Sequence, residues 1–128
     1  MPTVLLVRHG RTDANAAAVL AGRTAGTRLD GVGRAQARSL ADRLAGVTLG
    51  AVVSSPLERC LETATALTSE RGRPAVEVDD RLTECDYGDW TGRTLATLAR
   101  TKLWKIVQAH PSAATFPGGE SLRSIQAR

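Results

Sequence analysis

The strongest structural signal in the chain is Val4-Leu5-Leu6-Val7-Arg8-His9-Gly10, an apolar run that stops at Arg-His-Gly. A short run that is apolar on both faces is typical of a buried strand in a parallel sheet, so we predict a first strand over residues 3–8. In open α/β sheets, ligands bind in the crevice outside the carboxyl ends of the strands. The segment therefore places a guanidinium and an imidazole where such folds carry out their chemistry.

Strands and helices alternate along the rest of the chain. Further strands are predicted over residues 49–54 and 75–78, and a loop with one turn of helix over residues 10–29. Helices are predicted over residues 31–45, 56–71 and 94–109, with a fourth opened by Glu120-Ser121. This order predicts a single domain over residues 1–128, a three-layer α/β sandwich with a mostly parallel central sheet.

Capping residues and periodicity predict where the helices begin and which faces they bury. Asp30 is placed to cap the first long helix, and Ser55-Pro56 to open the second. Helical spacing predicts these inward-facing side chains: Val32, Ala35, Leu40 and Leu44 in the first, and Leu57, Cys60, Leu61, Ala64 and Leu67 in the second.

The composition argues against several classes of function. Seventeen Lys and Arg against thirteen Asp and Glu give a net charge of +4. The basic residues are scattered, so we expect an anionic small-molecule substrate and no nucleic-acid partner. Cys60 and Cys85 lack metal-ligand spacing, which predicts no metal and reduced thiols in a cytoplasmic protein. The apolar stretch at the N-terminus is too short for a signal peptide or a membrane span, so we expect no membrane association.

Three residue groups follow the three predicted strands. Arg8 suits phosphate binding and His9 can act as a nucleophile, with one ring nitrogen held by a backbone carbonyl. Gly10 allows a sharp turn and a close approach of the backbone to a ligand. Arg59 lies in the first turn of its helix and can reach the same crevice, and Glu84 can supply a proton to a leaving oxygen.

Each group also has a purely structural interpretation. His9 can be a structural residue at a strand end, and Arg59 a surface residue paired with Glu58 or Glu62. Spacing alone does not separate Glu84 from its acidic neighbours, which are Asp79, Asp80, Asp86 and Asp89. A dinucleotide-binding domain is disfavoured because the only candidate glycine motif, starting at Gly31, has Gln at position 36.

Four blocks together resemble the histidine phosphatase superfamily, which includes the cofactor-dependent phosphoglycerate mutases. The blocks are Arg8-His9-Gly10, Ser54-Ser55-Pro56-Leu57-x-Arg59, Leu82-x-Glu84 with Tyr87-Gly88-x-Trp90-x-Gly92, and Pro117-Gly118-Gly119-Glu120-Ser121.

The resemblance implies a role for each matching residue. His9 would form a phosphohistidine, Arg8, Asn15 and Arg59 would bind the phosphoryl group, and Glu84 would be the proton donor. The backbone at Gly22 would lie close to the substrate. The resemblance also implies a phosphorylated small-molecule substrate, with no metal or other cofactor.

Within the family, the residues after Glu84 favour a phosphatase of small phosphate monoesters. Mutases more typically carry a basic residue and an aromatic there, where this chain has Cys85 and Asp86. A phosphoglycerate mutase and a non-catalytic module that binds phosphorylated ligands or a protein partner remain the alternatives.

A second family histidine, which flanks the phosphate opposite the nucleophile, has no counterpart here. The only other histidine, His110, precedes Pro111 at a predicted helix end, where an imidazolium is favourable. We therefore expect these residues to be the N-terminal portion of the fold, with apolar surface and a sheet edge left exposed. We expect such a chain by itself to be poorly stable or to pair with another chain, a homodimer being one such pairing, and to have little phosphatase activity.

Overall fold

A computed structural model of the chain describes residues 3–70 and 72–128. Its α-helices are α1 Asp13–Ala16, α2 Gly31–Arg43, α3 Glu58–Thr68, α4 Leu95–Leu98, α5 Lys102–Ala109 and α6 Leu122–Ala127. Its strands are β1 Val52–Ser54 and β2 Val76–Val78, and single 3₁₀ turns occur at Asp80–Leu82, Gly88–Trp90 and Pro111–Ala113. No helix within the described ranges is both long and apolar enough to cross a membrane.

The β1–α3–β2 unit confirms the predicted α/β class. β1 and β2 pair in parallel, with Val52 opposite Val76 and Ser54 opposite Val78. α3 connects the two strands and packs against both of them, as a parallel pair requires of its crossover. Because side chains alternate along a strand, Val53 faces away from the buried Ser54, and 49% of it is exposed.

α2 packs against α3, and its buried residues are small. Asp30 caps α2 as predicted, and its carboxylate accepts a hydrogen bond from the Gly33 amide at 2.7 Å. The buried residues of α2 are Gly33 and Ala37. The predicted inward face is therefore wrong at its start, where Val32 and Ala35 are exposed. Apolar spacing missed the true face because that face begins with a glycine.

Aromatic side chains form a second centre of packing around the segment that follows β2. Trp90 and Phe116 are almost fully buried, with their ring centroids 5.2 Å apart in an edge-to-face arrangement. Trp104 of α5 stacks on Trp90 at 6.2 Å. Buried aromatic pairs of this kind supply much of the packing energy of a small core. They hold the segment that contains Glu84 against α5 and the C-terminal loop.

The first predicted strand is not formed. Residues 3–8 belong to no strand, and no backbone hydrogen bond joins them to another part of the described chain. A strand exists through its ladder with a neighbour, and no neighbouring strand pairs with this run here. Val4 is 78% exposed and Leu6 is 94% exposed, which agrees with the exposed apolar surface that we expected at this end.

Two helix predictions also need correction. The predicted helix over 94–109 is two helices, because Thr101 caps α5 by accepting a hydrogen bond from the Trp104 amide. α3 begins at Glu58 after Leu57, and Ser55 does not cap it. The Ser55 hydroxyl instead accepts from the Leu57 amide at 3.4 Å, inside the preceding turn.

A Gly33→Ala substitution should destabilise the protein strongly. A Cβ at Gly33 would overlap the backbone of Arg11, and that backbone cannot move away cheaply because Arg11 follows Gly10, which is itself packed on Gly33. We expect the free energy of unfolding, measured with urea, to fall by about 2–3 kcal/mol. Gly31→Ala is the matched control, since a Cβ at Gly31 meets no atom within 4 Å. An equal effect of the two substitutions would contradict the packing argument.

Candidate active site

His9 is held with one ring nitrogen toward its own backbone and the other toward Arg59. Its Nδ1 lies 2.7 Å from the Gly10 carbonyl oxygen, which confirms the predicted backbone acceptor. Its Nε2 accepts a hydrogen bond from Arg59 Nε at 3.2 Å. This pattern requires a proton on Nδ1 and a lone pair on Nε2, so the ring lone pair of His9 faces the Arg59 guanidinium.

Arg59 is a buried cation at the start of α3. It is only 3% exposed, and its Nη2 donates to the Gly22 carbonyl at 2.9 Å. The alternative of a surface Arg59 paired with Glu58 or Glu62 is wrong, because Glu58 accepts from the Gly26 amide and Glu62 pairs with Arg28. Arg59 Nη1 is buried with no hydrogen-bond partner among the described residues. A buried donor of this kind is a strong attractor for an anion.

Glu84 lies beside the Arg59 guanidinium. Its Oε2 is 3.9 Å from Arg59 Nη2, and its Oε1 accepts from the Cys85 amide at 2.8 Å and the Tyr87 hydroxyl at 3.3 Å. Burial, reinforced by the Glu84 charge, raises the pKa of Tyr87 well above its usual range. Tyr87 therefore stays a hydrogen-bond donor at neutral pH. Among the acidic residues of this segment, Glu84 alone pairs with Arg59.

A cleft of about 260 Å³ opens beside His9 and is lined by Arg8, His9, Arg11, Asn15 and Gln36. Asn15 Oδ1 caps α1 by accepting from the Thr12 amide and hydroxyl, so its amide N–H groups remain able to donate. Arg59 and Glu84 do not line this cleft. His9 therefore both lines this cleft and accepts a hydrogen bond from Arg59.

The two glycines predicted near the substrate have different structural roles. Gly22 has φ of +53°, which favours glycine, and its carbonyl accepts from Arg59. Gly10 approaches the backbone of Gly33 closely, and its amide donates to the Thr63 hydroxyl at 3.1 Å. The side of Gly10 where a side chain would stand is therefore filled by α2, and its close approach to a ligand stays a prediction.

Sequence reasoning missed several residues that hold this site. Thr63 receives the Gly10 amide, and Gln36 Oε1 accepts from the Arg11 amide at 2.9 Å. Arg23 and Glu120 hold the segment around Glu84, as described below. Only Glu120 had a sequence signal, because it belongs to one of the four quoted blocks. The others carry ordinary polar side chains, and their contacts depend on tertiary structure.

Comparison with known proteins gives a consistent assignment. The family model of the histidine phosphatase superfamily (branch 1) matches residues 4–128. A glucosyl-3-phosphoglycerate phosphatase of Mycobacterium tuberculosis is 36% identical over 98% of this chain and 56% of its own length. A 2,3-bisphosphoglycerate-dependent phosphoglycerate mutase of Brucella ovis is also 36% identical, over 98% of this chain and 64% of its own.

The fold agrees with solved structures of the same kind. A mycobacterial glucosyl-3-phosphoglycerate phosphatase in complex with VO₃ superposes with a TM-score of 0.82 and 33% identity, over 93% of this chain and 59% of that one. The chain thus spans between about half and two thirds of the lengths of these relatives. On the family match and on these similarities, the chain belongs to the histidine phosphatase superfamily.

Proposed function

We propose that the protein hydrolyses small phosphate monoesters through a phosphohistidine at His9, without a metal ion. The observation that carries this proposal is the Arg59–His9 hydrogen bond. It joins a neutral ring nitrogen to a buried guanidinium whose Nη1 has no partner among the residues described. A phosphoryl group placed there would accept the hydrogen bond of Arg59 Nε in place of His9, which would free the Nε2 lone pair to attack phosphorus, and it would also satisfy Nη1.

The reaction follows in two balanced steps. His9 Nε2 forms a bond to phosphorus as the ester P–O bond breaks, and protonated Glu84 gives its proton to the leaving alkoxide. Water then attacks the phosphohistidine, Glu84 takes up the proton of that water, and inorganic phosphate leaves. Arg8 and Arg59 balance the charge on the phosphoryl oxygens, in place of the metal ions used by other phosphoryl-transfer enzymes, and the Asn15 amide donates hydrogen bonds to them.

A phosphatase is favoured over a mutase by the residues next to Glu84. Cys85 is 2% exposed, and burial raises its pKa to about 12, so it contributes a neutral thiol. The neighbouring Asp86 carboxylate accepts from the Gly88 amide and adds negative charge close to the site. A second phosphate on the substrate or its intermediate would be repelled there. The similarity to glucosyl-3-phosphoglycerate phosphatases supports phosphorylated hydroxy-acid derivatives as the first substrates to test.

Chemical trapping tests the proposal directly. We expect radiolabelled p-nitrophenyl phosphate, mixed with the protein and quenched in base, to leave a label that is stable in base and lost in acid, as a phosphohistidine is. Peptide mapping should place the label on His9, and EDTA should not reduce it. A label on another residue, a label that requires a metal ion, or no label would each contradict the proposal. A non-catalytic binding module predicts the last of these outcomes.

A further inference from the structure

The block Pro117-Gly118-Gly119-Glu120-Ser121 has no part in the proposed chemistry, yet it contacts the segment that contains Glu84. The Asp89 amide donates to the Pro117 carbonyl at 2.8 Å. The Glu120 amide donates to the Asp86 carbonyl, also at 2.8 Å. A Cβ at Gly119 would overlap the backbone of Asp86 and Gly88. The two loops are therefore packed backbone to backbone.

The Glu120 carboxylate is the centre of this contact. Its Oε2 accepts from the Asp86 amide at 2.9 Å and from Arg23 Nη2 at 2.8 Å, and Arg128 Nη2 lies 3.3 Å away. The Asp86 amide, followed by the nearby Arg128 and Arg23, holds the pKa of Glu120 below its ordinary value. Glu120 is therefore ionised at neutral pH, and its hydrogen bonds are charge-assisted and stronger than neutral ones.

Arg23 connects Glu120 to both halves of the candidate site. While Nη2 binds Glu120, its Nε donates to the Glu84 backbone carbonyl at 2.7 Å. The preceding residue, Gly22, accepts from Arg59. The Gly22–Arg23 dipeptide thus joins the guanidinium that faces His9 to the backbone of the proposed proton donor.

We propose that Glu120 is a positioning residue, which acts through Arg23 and the Asp86 amide to hold the Glu84 carboxylate against the Cys85 amide and toward Arg59. Glu120 itself contacts neither His9 nor the Glu84 carboxylate. The proposal rests on the proposed function only for its catalytic consequence, since the position of Glu84 can be measured without turnover.

Hydrogen exchange tests the position of Glu84 in the 128-residue chain. The Cys85 amide donates to Glu84 Oε1 and does not contact Glu120, so its exchange rate reports on Glu84. We expect Glu120→Gln to speed exchange at Cys85 by about tenfold, toward the rate in Glu84→Ala. The matched control is Glu77→Gln, at an exposed position of β2, and it should leave the rate unchanged. An unchanged Cys85 rate in Glu120→Gln would overturn the proposal, whatever the activity.

The leaving group separates positioning from a general structural effect. An alkoxide needs the proton of Glu84, whereas p-nitrophenolate is a weak base and can leave without it. Glu120→Gln should therefore slow phosphoryl transfer from 3-phosphoglycerate about tenfold more than from p-nitrophenyl phosphate. Partial unfolding would lower the rates with both substrates by the same factor, because the same folded molecules act on both.

A double substitution completes the test. In a Glu84→Gln background, Glu120→Gln should cause no further loss with the alkyl ester, since its effect passes through Glu84. Equal losses with both esters, or additive losses in the double variant, would overturn the positioning role while leaving a phosphohistidine at His9 intact. If the unmodified chain showed no label on His9, the proposed function would be refuted. The hydrogen-exchange rate of the Cys85 amide would then still test the positioning role of Glu120.

Discussion

Replacing His9 by alanine is expected to slow phosphorylation of the protein by p-nitrophenyl phosphate, seen as the burst of p-nitrophenol, by at least about ten-thousandfold. The His9 Nε2 lone pair is the proposed nucleophile, and its direction is fixed by the Gly10 carbonyl on one side and Arg59 on the other. Alanine at this position removes the nitrogen atom that is proposed to form the bond to phosphorus. Arg8, Asn15 and Arg59 would still bind phosphate, but they could not form the covalent intermediate. Burst kinetics and quantification of the label on the protein measure the loss.

The chain offers a matched control for this substitution. His110 is exposed at the C-terminal end of α5, where it was predicted, and its backbone amide donates to the Ile106 carbonyl. His110→Ala removes an imidazole of the same type far from the proposed nucleophile and should change neither the burst nor the label. If His110→Ala caused the larger loss, the phosphohistidine would have to be reassigned. If neither variant changed the rate, histidine chemistry would be excluded altogether.

Local sequence signals predicted the parts of the fold that depend on local interactions. Asp30 and Ser121 cap their helices through side-chain oxygens, as their positions indicated. His110 lies at a helix end because Pro111 follows it. A cap satisfies backbone groups within three residues of itself, so its signal needs no knowledge of the remaining structure.

The first predicted strand shows that local sequence signals do not predict strand pairing. Val4 and Leu6 have the composition of a buried strand but are exposed. A strand needs a partner, and a partner is a property of the tertiary structure. The apolar pattern therefore predicts a preference for pairing, which the described residues do not satisfy. His9 keeps its geometry without the strand, because Gly10 is fixed on Gly33 and Thr63 instead.

The candidate site, like the fold, was predictable only in part. The four sequence blocks gave His9, Arg59 and Glu84, which the structure brings together. The role of Arg23 could not be predicted, because an isolated arginine outside the sequence blocks has no feature that indicates its partners. The side chain of Arg59 also shows why burial matters. The sequence allowed a surface ion pair, and only the structure shows a nearly buried guanidinium.

Arg59→Lys tests the role of the buried guanidinium most directly. We expect this substitution to lower the rate of His9 phosphorylation by about a hundredfold or more. The Arg59 fork donates to His9 from Nε and to Gly22 from Nη2 while Nη1 stays available. A lysine keeps the charge, but its three N–H donors all start from one nitrogen atom and cannot reproduce the planar, spread geometry of the guanidinium. The loss would therefore measure geometry rather than charge.

Arg38→Lys, on the exposed face of α2, is the matched control and should leave the rate unchanged. Inorganic phosphate adds a readout that needs no turnover. An anion that binds the folded state raises the melting temperature, and this rise should shrink in Arg59→Lys and persist in Arg38→Lys. A lysine variant that kept both the rate and the phosphate effect would mean that charge alone suffices at this position. Nη1 of Arg59 would then have no role in binding the phosphoryl group, and the case for a guanidinium in place of a metal ion would lose its main support.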